Sequence, residues 1–132
     1  MKVIRTLTIT PVFILVSLLS CRKSSQAPPD TRKVKFQLYT TDDFSSSGER
    51  IDFTVIINGN NTRLWDSALA PMSIKDIPGP GNKLVIEKAV PGNYSGDLVV
   101  GFLYTIENVG NSWHLDSSKA GNILKTVDYN FH

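Results

Sequence analysis

From Lys33 onward, apolar side chains recur every second residue, and this rhythm decides what the chain can build. Val34, Phe36 and Leu38 alternate with Lys35, Gln37 and Tyr39; Ile51, Phe53, Val55 and Ile57 alternate with Asp52, Thr54 and Ile56. Successive side chains of an extended strand point to opposite faces, so each run marks a strand with one face buried. The longest run covers 98–109, with Leu98, Val100, Phe102, Tyr104 and Ile106 on one face. Further strands are expected over 62–69, 72–77 and 83–90. A final one is expected where Ile123, Val127, Tyr129 and Phe131 share a face, apolar enough to be paired inside a sheet. Residues 111–121 lack the rhythm and read as a loop or a short irregular strand. No stretch beyond residue 20 shows a helical apolar period with caps.

The breaks between these runs are turn formers. Asn58-Gly59-Asn60-Asn61 contains the Asn-Gly pair suited to a tight hairpin, and Pro78-Gly79-Pro80-Gly81 fences another boundary. Seven or eight short strands with such turns predict an all-β fold. The expected form is a single two-sheet antiparallel sandwich, immunoglobulin-like or prealbumin-like, over 33–132. Pro91-Gly92-Asn93-Tyr94, leading into the longest run, is similar to the Pro-Gly-x-Tyr turn of prealbumin-like sandwich domains. That resemblance implies a turn made by the Pro-Gly pair and a tyrosine packed at the start of the next strand.

The first twenty residues are of another kind. Lys2 and Arg5 precede an uncharged apolar stretch over 7–20, shorter than the roughly 20 apolar residues a spanning helix needs. A basic start and a short apolar core are the pattern of a secretion signal. Leu18-Leu19-Ser20-Cys21 resembles the lipobox of bacterial lipoproteins. The resemblance implies that signal peptidase recognises Leu18 and Ser20, cuts before Cys21, and leaves that cysteine lipidated. Stretches 65–78 and 83–93 also resemble small bacterial envelope lipoproteins with no known activity. Residues 1–20 are therefore expected to be a removed signal peptide, and 21–32 a lipidated cysteine with a flexible tether. The polar run from Arg22 to Arg32, with Pro28-Pro29, extends at most about 35 Å. Arg22 rather than aspartate follows the cysteine, which under Gram-negative sorting rules resembles export to the outer membrane. The absence of an acidic cluster there favours the periplasmic face.

Charge and cysteine usage narrow the function. Lys2 and Arg5 are two of the 14 basic side chains, so the remainder balances the 12 acidic ones and the formal charge of +2 belongs to the signal. A balanced domain offers no electrostatic case for nucleic acid. The single cysteine is Cys21, so once it is lipidated no thiol remains for a disulfide, a metal site or a nucleophile. His114, in Trp113-His114-Leu115-Asp116, has no nucleophile elbow to serve and reads as a half-exposed loop histidine. Asp42, Asp43 and Glu49 share one loop, but their spacing does not match an EF-hand and solvated charges explain them. Gly79-Pro80-Gly81 lacks the lysine and helix of a phosphate loop.

No catalytic residue, metal site or cofactor is expected. Trp65, Trp113 and Tyr94 fall at strand ends or outward positions, where aromatic rings either pack at a core edge or grip a sugar or a protein. The resulting expectation is a non-enzymatic, membrane-anchored envelope lipoprotein that binds a protein or a glycan on loops at one end of the sandwich. Its alternative is a structural or assembly accessory without a specific ligand.

Overall fold

The computed structural model describes residues 31–132; Leu18, Ser20 and Cys21, with the expected signal peptide and the expected tether as far as Asp30, lie outside the described residues. The strands are β1 (Lys33–Tyr39), β2 (Arg50–Gly59), β3 (Thr62–Ala68), β4 (Met72–Ser73), β5 (Leu84–Ala89), β6 (Leu98–Ile106), β7 (Gly110–Ser118) and β8 (Leu124–Asn130). They form two sheets. One has the order β5-β1-β8; the other has β3-β2-β6-β7, with β4 paired to β2. The fold is an all-β two-sheet sandwich.

The two-residue rhythm is what closes it. Val34, Phe36 and Leu38 of β1 face Ile51, Phe53, Val55 and Ile57 of β2 and Leu98, Val100 and Phe102 of β6 in one buried cluster. Each such side chain contributes about 2 kcal/mol on removal from water. Aromatic edges interlock at its centre: Phe102 meets Phe36 at 5.8 Å and Phe53 at 6.2 Å, both close to perpendicular. Tyr129 and Phe131 extend the aromatic layer from the other sheet.

Several sequence expectations are corrected. Of the two readings of residues 111–121, the strand holds as far as Ser118, but it is neither short nor irregular: β7 has nine residues paired along its length with β6. It is an edge strand whose residues are mostly exposed, so it needs no apolar alternation and shows none. The strand expected over 72–77 stops at Ser73, where Ile74–Asp76 makes a 3-10 turn. Ile74 and Ile77 are both buried, a spacing of three that such a turn satisfies and a strand cannot. The hairpin turn is Asn60-Asn61, both with positive φ, while Asn58 and Gly59 remain in β2. The strand expected to be the longest ends at Ile106, and β2 exceeds it by one residue.

The final strand also differs. β8 lies at the edge of its sheet and runs parallel to β1, the one parallel pair among the described strands. The cause is where the chain crosses between sheets. β7 ends beside Leu98, at the same pole of the sandwich where β1 begins, so β8 must start there and run in β1's direction. Ile123 precedes the strand and is 56% exposed, off the buried face assigned to it.

Two poles result. The near pole, where β1 starts, carries the turns at 60–61, 91–97 and 119–123; the far pole carries 40–49, 69–83 and 107–109. Arg32, placed by sequence at the end of the tether, is 5% exposed and belongs to the domain.

Candidate functional site

The three aromatic residues singled out by sequence are not brought together. Trp65 pairs with the buried Ile57 and so lies on the inner face of the five-stranded sheet. Its ring sits 6.3 Å from Phe36, with Lys88 Nζ 5.3 Å above it, and it seals the edge of the core. Tyr94 follows the Pro91–Asn93 turn and packs half-buried against Gly59 and Gly96; a Cβ on either glycine would come within 2.8 Å of its ring. Trp113 is 66% exposed. It pairs with Leu103, which pairs with Thr54, and so lies on the outer face, opposite Trp65.

That outer face can be read row by row. Trp113 stands beside Leu103, and two residues along the strand Leu115 stands beside Gly101. Gly101 in turn pairs with Ile56, an outer-face residue that is nonetheless 1% exposed. The next row pairs Ser117 with Val99 and Val99 with Asn58. Trp113, Leu103, Leu115 and Val99 thus make an apolar strip with a dip at Gly101, where a side chain is missing. The dip has a steric cause: a Cβ at Gly101 would strike the backbone carbonyl of His114.

Below Val99 the strip opens into a groove of about 920 Å³, lined by polar side chains that include Asn58, Asn60, Asn61, Arg63, Asp97 and Lys119. Arg63 is held in place there, donating to Asn58 Oδ1 at 2.6 Å and pairing with Asp66 at 3.1 Å. An exposed tryptophan two rows along the sheet from a groove that holds the Asn58 amide and the Arg63 charge in place offers a stacking surface together with directional donors and acceptors. The strip carried no sequence signal except Trp113 itself: β7 is mostly exposed and shows no apolar period, and Val99 and Leu103 fall between the inward-facing residues of β6.

Arg32 organises the near pole from beneath. Its guanidinium donates to the carbonyls of Tyr94, Gly96, Ser118 and Lys119 and to the Ser118 hydroxyl. Its backbone is held as well: the amide donates to Asn93 Oδ1 at 3.0 Å, and the carbonyl accepts from Val90 at 2.8 Å. One side chain therefore joins the start of β1 to the loops before β6 and after β7.

Charges on the domain are sorted by pole. Arg32, Lys33, Lys35, Arg63, Lys88, Lys119 and Lys125 lie in the near half, with Asp66, Glu87, Asp97 and Asp116. The far half holds Arg50, Lys75 and Lys83 against Asp42, Asp43, Glu49, Asp52, Asp76, Glu107 and Asp128. Near-neutrality overall hides a basic end and an acidic end.

His114 lies on β7, not in a loop, and stacks on Tyr129 with ring centroids 4.1 Å apart. Burial, then the hydrogen bond between its hydroxyl and that of Tyr104, pushes the Tyr129 phenol well above its ordinary range. Among the described residues His114 makes no side-chain hydrogen bond to a serine. Among them no three His, Cys, Asp or Glu side chains converge as a metal site would require, and Asp42, Asp43 and Glu49 are exposed. Compared with known proteins, the chain matches no family model, and neither curated proteins nor solved structures give a match.

Proposed function

We propose that this protein is a non-enzymatic binding module of the bacterial cell envelope, held by lipid on Cys21 to the outer membrane facing the periplasm. It grips a protein or a glycan with the outer face of its five-stranded sheet. The observation behind this reading is the exposure of Trp113, 66%, at the head of an apolar strip shared with Leu115 and Val99. A buried tryptophan serves packing, whereas one left in water on a strand earns no folding energy there and suits a contact. Anchoring supports the reading physically: confinement to a membrane raises the effective concentration near any co-anchored partner, so a strip of modest area suffices. Trp65, packed against the core, supports the sheet from behind and is not a contact residue in this reading, whereas Tyr94 lines the groove below the strip.

The test is a photo-reactive residue placed at Leu115 in the anchored protein in living cells, followed by mass spectrometry of the adducts. One dominant adduct, protein or glycan, should form and vanish with Trp113→Ala while the thermal midpoint stays unchanged. Trp65→Ala serves as the contrast and should lower stability by about 3 kcal/mol through the cavity it leaves. Absence of any adduct dependent on Trp113 would make the protein a structural or assembly accessory instead.

A further inference from the structure

We propose that the near pole, on the side of the three-stranded sheet, rests on the anionic headgroups of the bilayer that anchors Cys21, with Ile123 and Leu124 dipped into the interface. Ile123 and Leu124 are each 56% exposed, adjacent, and at the end of the domain nearest the tether. They border a shallow groove of about 480 Å³ with Lys33, Lys35 and Glu87. The pair is held firmly: the Lys33 amide donates to the Ile123 carbonyl at 2.8 Å, and Leu124 is in register with Lys33. Two aliphatic side chains flanked by Lys33 and Lys35 match a bilayer interface, where the chains sink below the phosphates and the ammonium groups reach them. Glu87 is taken up by Lys33 at 3.4 Å, and Lys35 has no carboxylate in salt-bridge range among the described residues.

Two further facts point to the bilayer as the occupant. Arg32 pins the chain at this pole, and only the ten residues 22–31 separate it from Cys21, a reach of about 35 Å at most. That length permits contact without forcing it, so charge decides. The near half has a cationic excess and the far half an anionic one, so an anionic surface attracts one end and repels the other. Both effects select the same orientation. Docked in this way, the strands rise from the bilayer. Trp113, on the opposite sheet and about 17 Å from the end of β7, stays open to other anchored molecules.

The inference rests on the lipid-anchor reading, and the experiment separates the two. Acylation of Cys21 blocks its thiol, so Asn122→Cys in the mature lipidated protein provides a unique site for an environment-sensitive dye; Ser46→Cys does so at the far pole. Each protein is reconstituted into vesicles of phosphatidylcholine with or without phosphatidylglycerol. Emission from position 122 should shift to the blue with phosphatidylglycerol, and emission from position 46 should not. Lys33→Glu and Lys35→Glu should each lower the docked population about fivefold or more, and about 1 M salt should release it. Vesicle-bound, singly labelled protein with the same emission at both positions overturns the inference and leaves the anchor standing. Two dyes per chain, one of them on Cys21, remove the anchor and the inference together.

Discussion

Arg32 brings a full positive charge to a site 5% exposed, where its guanidinium meets four carbonyls and one hydroxyl but no carboxylate. Carbonyl dipoles in a low-dielectric pocket compensate for lost water only when several converge, and here the planar fork reaches two loops at once. Its Nε finds no acceptor, which leaves part of the desolvation cost unmet. Arg32→Met keeps the stem and strands the carbonyls, so urea unfolding should show a loss of about 3 kcal/mol. Arg32→Lys should recover only part of it, because a compact ammonium cannot span both loops. An unchanged midpoint in Arg32→Met would mean that the loops hold without the cation.

Among the strands held by a single neighbour, β7 is the one with the largest share of its residues exposed. It pairs only with β6, and its residues are mostly exposed. The pairing is close at Gly101, where an added Cβ would strike the His114 carbonyl. Gly101→Ala should therefore separate the two strands locally and cost about 2 kcal/mol. In hydrogen exchange, amides of β7 should lose protection first, while β1 and β2 keep theirs. Uniform loss across both sheets would show instead that β7 does not open on its own. Because β7 carries Trp113 and Leu115, the same variant should also weaken any contact made by the outer face.

At the scale of the whole molecule, the sorting of charge gives the domain an axis, and its carboxylates make it sensitive to acid. The Asp116 carboxyl is held low chiefly by its hydrogen bond with Lys125, and that of Asp97 by the Ala120 amide and the Lys119 charge. Ser45 holds Asp43 low in the same way. A carboxyl that titrates lower in the folded chain than in the unfolded one makes the unfolded chain take up protons first as pH falls. Stability is then at its full value above about pH 4 and declines as pH drops through the lower folded-state values. Thermal midpoints should accordingly be flat from neutral pH to about 5 and fall below about 4, with a shallower fall in Asp116→Asn. An equal slope in that variant would assign the acid response elsewhere.

The order of apolar residues by itself determined that strands form and which face of each is buried. Val34 to Leu38 and Ile51 to Ile57 turn inward wherever their sheets lie, because water expels every second side chain. A strand that needs no buried face left no such mark: residues 111–121 read equally as a loop or a short irregular strand, and Ile74 with Ile77 mimicked a strand while making a turn. Burial of Arg32 was equally hidden, since its acceptors lie 62 to 87 residues away along the chain. The opposite facing of Trp65 and Trp113 depends on strand register, which local pattern does not encode for an edge strand. Collection of the cations at one pole depends on which turns share an end of the sandwich. Local chemistry selects strand and face, and only the closing of two sheets over one core decides which distant residues become neighbours.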